Sequence, residues 1–111
     1  MDISFASEKF ADEVNVYRLL VRRHGDRRAK LIRRRLDELR AVQTLDEMRS
    51  LPAPRCHELH GDRSGQLTVD LDHPYRLLFE PAAPVPQKAD GGLDWGGVVA
   101  VVVIGVVDTH G

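Results

Sequence analysis

Ten consecutive residues near the C-terminal end, Val98-Val99-Ala100-Val101-Val102-Val103-Ile104-Gly105-Val106-Val107, are apolar and almost all β-branched. Such side chains are stiff at χ1 and suit a pleated surface. A strand with one wet face alternates apolar and polar residues. This run does not alternate, so it predicts a central strand covered on both faces. It is about half the length of a membrane-spanning helix. A central strand needs neighbours and a covering layer, and the rest of a chain of 111 residues has to supply them. That length fits one domain with one modest core.

The first half reads as helical. Ile3 to Phe5 predicts a short first strand, and Ser7 can cap a helix carrying Phe10, Val14, Tyr17 and Val21 at helical spacing. Gly25 and Asp26 break it, and Asp26 can cap a second helix with the stripe Ala29, Ile32, Leu36 and Leu39. Two helices joined so tightly predict an antiparallel hairpin. Thr44 followed by Glu47 is a capping-box pattern for one more turn, and Leu51-Pro52-Ala53-Pro54 ends the helical half.

The second half reads as sheet. Cys56 to His60 is a short extended run and Gly61 to Gly65 a turn. Leu67, Val69 and Leu71 alternate with Thr68, Asp70 and Asp72, a strand with one buried face. His73-Pro74 reverses the chain, and Tyr75 to Glu80 returns as the next strand. Residues 81–97, rich in Pro, Gly and Ala, predict a long loop pinned by Trp95. The expectation is a single α+β domain over residues 1–111, β-α-α-β-β-β-β. Its helical half (about 7–50) packs on an antiparallel-rich sheet (about 55–108), with Leu77, Phe79 and the valine strand facing the helices.

Charge is distributed unevenly. Residues 18–40 hold ten Lys or Arg against three acids, a local +7, while the whole chain carries −1. A basic segment on an otherwise acidic protein can touch phosphate, seat an acidic partner, or simply be a solvated face. The single cysteine, Cys56, cannot form an internal disulfide, and the first residues carry no secretory pattern, so a cytoplasmic setting without a membrane is expected.

Four polar features carry the chemistry: His57-Glu58-Leu59-His60-Gly61-Asp62-Arg63-Ser64-Gly65, Pro74-Tyr75-Arg76-Leu77-Leu78-Phe79, the ending Asp108-Thr109-His110-Gly111, and the basic helix. Histidine can take or give a proton near neutrality. Arginine forks onto two phosphate oxygens and stays charged. Asp108 and His110, two apart on a strand end, would point the same way. His57 and His60, three apart, would point to opposite faces, which also weakens a zinc reading of His57, His60, Asp108 and His110.

A helix hairpin followed by H-x-L-x-G-D-R-x-G, Y-R-L-x-F and a final strand ending D-x-H resembles the HigB branch of the RelE/ParE superfamily, toxins of bacterial toxin–antitoxin pairs. The resemblance runs in order along nearly the whole chain. It implies a small sheet flanked by helices, and a ribosome-dependent mRNA endoribonuclease that uses the 2′-hydroxyl as nucleophile and no metal or other cofactor. By motif position it implies His57, Arg76, Asp108 and His110 as catalytic residues. His60, Thr109 and Arg33, Arg34 and Arg35 of the basic helix would be RNA contacts. The implied partners are a cognate antitoxin, possibly of helix-turn-helix type, the ribosome and mRNA. Thr109 stands where the family has a tyrosine and offers no stacking surface. Two other readings stay open: a ParE-like gyrase inhibitor, and an inactive toxin fold that only binds antitoxin and aids operator repression. Arg76 can also be read as a structural partner of Asp70 or Asp72 across the hairpin.

Overall fold

The valine run forms an interior strand of the sheet, but against expectation it is covered on one face only: Val101 and Val103 are buried, while the other residues of the strand are half-buried or exposed because the helices cover a single side. In the computed structural model, which describes residues 1–108, the strands are Asp2–Phe5 (β1), His57–Glu58 (β2), Leu67–Asp70 (β3), Tyr75–Pro81 (β4) and Ala100–Asp108 (β5). They form one sheet in the order β1-β5-β4-β3-β2. The edge strand β1 runs parallel to β5, and the other neighbours pair antiparallel. The result is an α+β domain, with an N-terminal helical region packed on an open, mixed five-stranded sheet.

The helical region has three helices: Glu8–Asn15 (α1), Tyr17–His24 (α2) and Asp26–Ala41 (α3). The single first helix expected from the apolar spacing is broken at Val16, which is extended at φ −123 and ψ 96. Asn15 and Val16 are both weak helix formers, so little local preference opposes the break. The break changes which side chains face inward. Leu20 is fully buried, while Val14, Tyr17 and Val21 pack at the rim of the core beside buried Phe10.

Ser7 caps α1 by accepting from the Phe10 amide at 3.2 Å, and the capping box of Thr44 and Glu47 starts a 3-10 turn at Leu45–Ser50. Asp26 does not cap α3. Gly25, at φ 83, links α2 to α3 in a left-handed conformation that favours glycine. Asp26 instead lies in the first turn and pairs with Lys30 at 3.1 Å, where a negative charge also suits the helix dipole.

One core joins the two halves. Ala29, Ile32, Leu36 and Leu39 from α3 pack with Leu67, Val69, Leu77, Phe79, Val101 and Val103 from the sheet. Trp95 closes one end: its indole N–H donates to Glu58 Oε1 at 2.6 Å, and the Arg49 guanidinium lies 4.0 Å over the ring. No helix among the described residues is long and apolar enough to cross a membrane.

Arginines of α3 tie the helices to the β3–β4 turn. Arg28 grips Asp72 through two hydrogen bonds, 2.9 and 3.0 Å, and lies 3.5 Å over the Tyr75 ring. The hydrogen bond from Arg28 holds the Asp72 carboxyl below its ordinary range. A depressed carboxyl contributes stability that is present above its unfolded pKa and lost as pH falls through the folded one. Acid unfolding of Asp72→Asn, followed by circular dichroism below about pH 4, is therefore expected to show a shallower loss of stability than wild type.

Candidate active site on the open face of the sheet

Cross-strand partners share a face, so the register sorts the polar residues. Asp70 pairs with Arg76, Thr68 with Leu78, and His57 with Thr68. Leu67, Val69, Leu77 and Phe79 take the alternate phase into the helical core. His57, Thr68, Asp70, Arg76 and Leu78 therefore leave the sheet on the face away from the helices.

On that face His57 and Arg76 meet, with Arg76 Nη1 3.1 Å from His57 Nε2. Arg76 Nε lies 3.3 Å from Asp70 Oδ1, and Arg55 Nε lies 3.7 Å from Asp70 Oδ2. Asp70 is itself fixed on both sides. Its amide donates to the Pro54 carbonyl at 2.7 Å, and its carbonyl accepts from Arg35 Nε at 2.7 Å. Two buried oxygens here, Thr68 Oγ1 and Asp70 Oδ1, make no hydrogen bond among the described residues. Asp70 Oδ1 has the ion-pair approach of Arg76 without hydrogen-bond geometry. Buried polar atoms left unsatisfied by protein partners are uncommon.

A cavity of about 150 Å³ lies against this group, lined by Arg55, Asp70, His73, Tyr75 and Arg76 among others. Small-molecule pockets run about 300–1,000 Å³. A larger surface cavity, about 690 Å³, lies along α1 and α2 among Lys9, Asp12, Glu13 and Arg22 and touches neither His57 nor Arg76.

The other expected site residues fall into three groups. His60 is exposed where the chain enters the Gly61–Arg63 turn, and Arg33 and Arg34 are exposed on α3, Arg33 lying 4.8 Å over the Tyr17 ring. Thr109 and His110 lie outside the described residues. Asp108 and Arg35 are placed against expectation. Asp108 pairs with Tyr75 and Arg76 with Val107, so Asp108 is one residue out of phase with Arg76 and leaves the sheet on the opposite face. The cause is a register shift: Phe79 pairs with Val103 but Leu78 with Gly105, which leaves Ile104 as an extra residue. Gly105, at φ 154, accommodates that bulge. Arg35 is only 5% exposed. Its guanidinium is committed to the Asp70 carbonyl and, at 2.8 Å, to Glu38. It braces the site from within and presents no charge to solvent.

No family model, curated protein or solved structure matches this chain. A functional reading therefore has to rest on the geometry of this face and on the motif resemblance.

Asp70 and Arg55 complete the group. Asp70 is visible in the sequence only as one of two acids across the hairpin from Arg76. Arg55 carries no sequence signal, because it belongs to no motif and sits in a Pro-rich connection. Burial pushes the Cys56 thiol up to about 12, which disfavours a reactive thiolate.

Proposed function

We propose that the protein is a metal-independent endoribonuclease of the RelE/HigB toxin type, acting on mRNA at the ribosome and held silent by a cognate antitoxin. The contact between His57 Nε2 and Arg76 Nη1 on the sheet face away from the helices carries this reading. It sets a proton acceptor beside a fixed guanidinium, the two groups that attack by a 2′-hydroxyl requires.

In this reading a phosphate draws Arg76 away from His57 and binds its donors. His57 Nε2 then takes the 2′-hydroxyl proton as the O2′–P bond forms. The P–O5′ bond breaks, and the leaving 5′ oxygen receives a proton from a general acid, the role this reading gives to His110, which the resemblance implies is catalytic. Asp70 keeps Arg76 aligned throughout. The products are a 2′,3′-cyclic phosphate and a 5′-hydroxyl. The purified protein, added to ribosomes translating a defined mRNA, is expected to create new primer-extension stops within the reading frame, and none on naked mRNA. Intact mRNA on the ribosome would refute the proposal.

The Asp70–Arg76 ion pair favours one other reading, a toxin fold that only binds antitoxin, because a neutralised arginine attracts phosphate less. Expression without the antitoxin separates the two: the nuclease arrests growth, the binding-only protein does not.

On this proposal Arg33 and Arg34 supply affinity rather than chemistry. They project from the helical layer, across the sheet from His57 and Arg76. The double change Arg33→Gln, Arg34→Gln is expected to weaken ribosome association at low salt. It should also flatten the log–log salt dependence by roughly 1.4–1.8, with the rate once bound unchanged. Filter binding over a salt series checks this.

A further inference from the structure

We propose that Arg55 is the positioning residue for His57, and that it acts through its backbone carbonyl and not through its charge. This rests on the ribonuclease reading of the His57–Arg76 pair.

Arg55 is the one non-glycine residue with positive φ among the described residues, at φ 47. A side chain disfavours that conformation, and such outliers persist only where surrounding contacts hold them. Here the preceding residue is held: Pro54 is buried, and its carbonyl accepts the Asp70 amide at 2.7 Å. The left-handed turn at Arg55 brings its own carbonyl oxygen 3.0 Å from His57 Nδ1.

Two contacts of fixed polarity then settle the ring. A carbonyl oxygen only accepts, so Nδ1 must carry the hydrogen. A guanidinium only donates, so Nε2, 3.1 Å from Arg76 Nη1, must hold the lone pair. His57 is therefore held as the neutral Nδ1–H tautomer, with its basic nitrogen turned toward the phosphate-binding arginine. The hydrogen bond at one ring nitrogen decides the state of the other. When a phosphate takes Arg76, the nitrogen left uncovered is the one already able to accept the 2′-hydroxyl proton. The Arg55 side chain adds little. It is 72% exposed, and its Nε approaches Asp70 Oδ2 only to 3.7 Å.

Backbone and charge can be separated by two substitutions. Arg55→Gly keeps the left-handed turn and its carbonyl while removing the guanidinium. Arg55→Val opposes positive φ through its branched Cβ. In the full chain labelled with ¹⁵N-histidine, long-range ¹H–¹⁵N correlation at about pH 8, above the ordinary histidine range, reads the tautomer directly. Wild type and Arg55→Gly are expected to show His57 with Nδ1 protonated and Nε2 bare, and Arg55→Val a mixture of both tautomers. Cleavage is expected to fall roughly tenfold or more further for Arg55→Val than for Arg55→Gly, part of the ~10²–10⁴ a general base contributes. A wild-type His57 protonated at Nε2 would overturn the proposal. So would a glycine variant that loses the tautomer as fully as the valine variant, which would give the role to the side chain. If the tautomers behave as expected but no variant or wild type cuts RNA, the ribonuclease reading fails and the positioning of His57 stands.

Discussion

Arg76→Ala is expected to slow cleavage on the ribosome by about 10²–10³, the usual loss when one preorganised donor to a developing charge is removed. Arg76→Lys should recover little, because an ammonium is a point charge and cannot span two phosphate oxygens. Part of any measured loss can come from the fold, since the change leaves the Asp70 carboxylate, already short of hydrogen bonds, without its nearest partner. That penalty is about 1–3 kcal/mol for a buried acceptor. Single-turnover rates on ribosomes, taken at a temperature where denaturation curves show every variant folded, separate the two effects. Arg76→Ala that cuts as fast as wild type would make Arg76 a strut for Asp70 and nothing more.

Phe79→Ala is expected to cost about 3–5 kcal/mol, because it empties the largest fully buried side chain at the contact between sheet and helices. Small domains have about 5–15 kcal/mol in total, so the variant should be marginal at 25 °C. Urea unfolding measures this with two independent probes. The sole tryptophan, Trp95, reports the sheet half by fluorescence, and circular dichroism near 222 nm reports the three helices. Both signals should fall together in wild type and shift together in the variant. Helical signal surviving after Trp95 is exposed would mean that the helical half holds a core of its own.

Much of the fold was legible because its signals are local. The unalternating valine run marks the central strand, and Ser7 and the Thr44–Glu47 pair mark helical starts through bonds spanning three residues. The break at Val16 was hidden because the apolar spacing continues through it, and after the break it is Leu20 that is fully buried. Arg35 looks in sequence like Arg33 and Arg34. Only the Asp70 carbonyl, thirty-five residues away, distinguishes it. Part of the candidate site was legible by motif position, since the structure places His57 beside Arg76; the alternation argument does not apply, because the strand ends at Glu58 and His60 already leads into the Gly61–Arg63 turn. The phase of Asp108 was not legible, because strict alternation from Val103 would have sent it to the Arg76 face. One bulged residue inverts the phase, and a single glycine in a valine run is weak notice of it. Arg55 was invisible because its contribution is a carbonyl, which every residue has.

The most direct test of the central claim is the chemistry of the cut ends. Ribosome-bound mRNA cleaved by the wild-type protein should carry 2′,3′-cyclic phosphate on the upstream fragment and 5′-hydroxyl on the downstream one, with His57→Ala leaving the mRNA intact. Fragments ending in 3′-hydroxyl and 5′-phosphate, or equal cleavage by His57→Ala, would contradict attack by the 2′-hydroxyl assisted by His57.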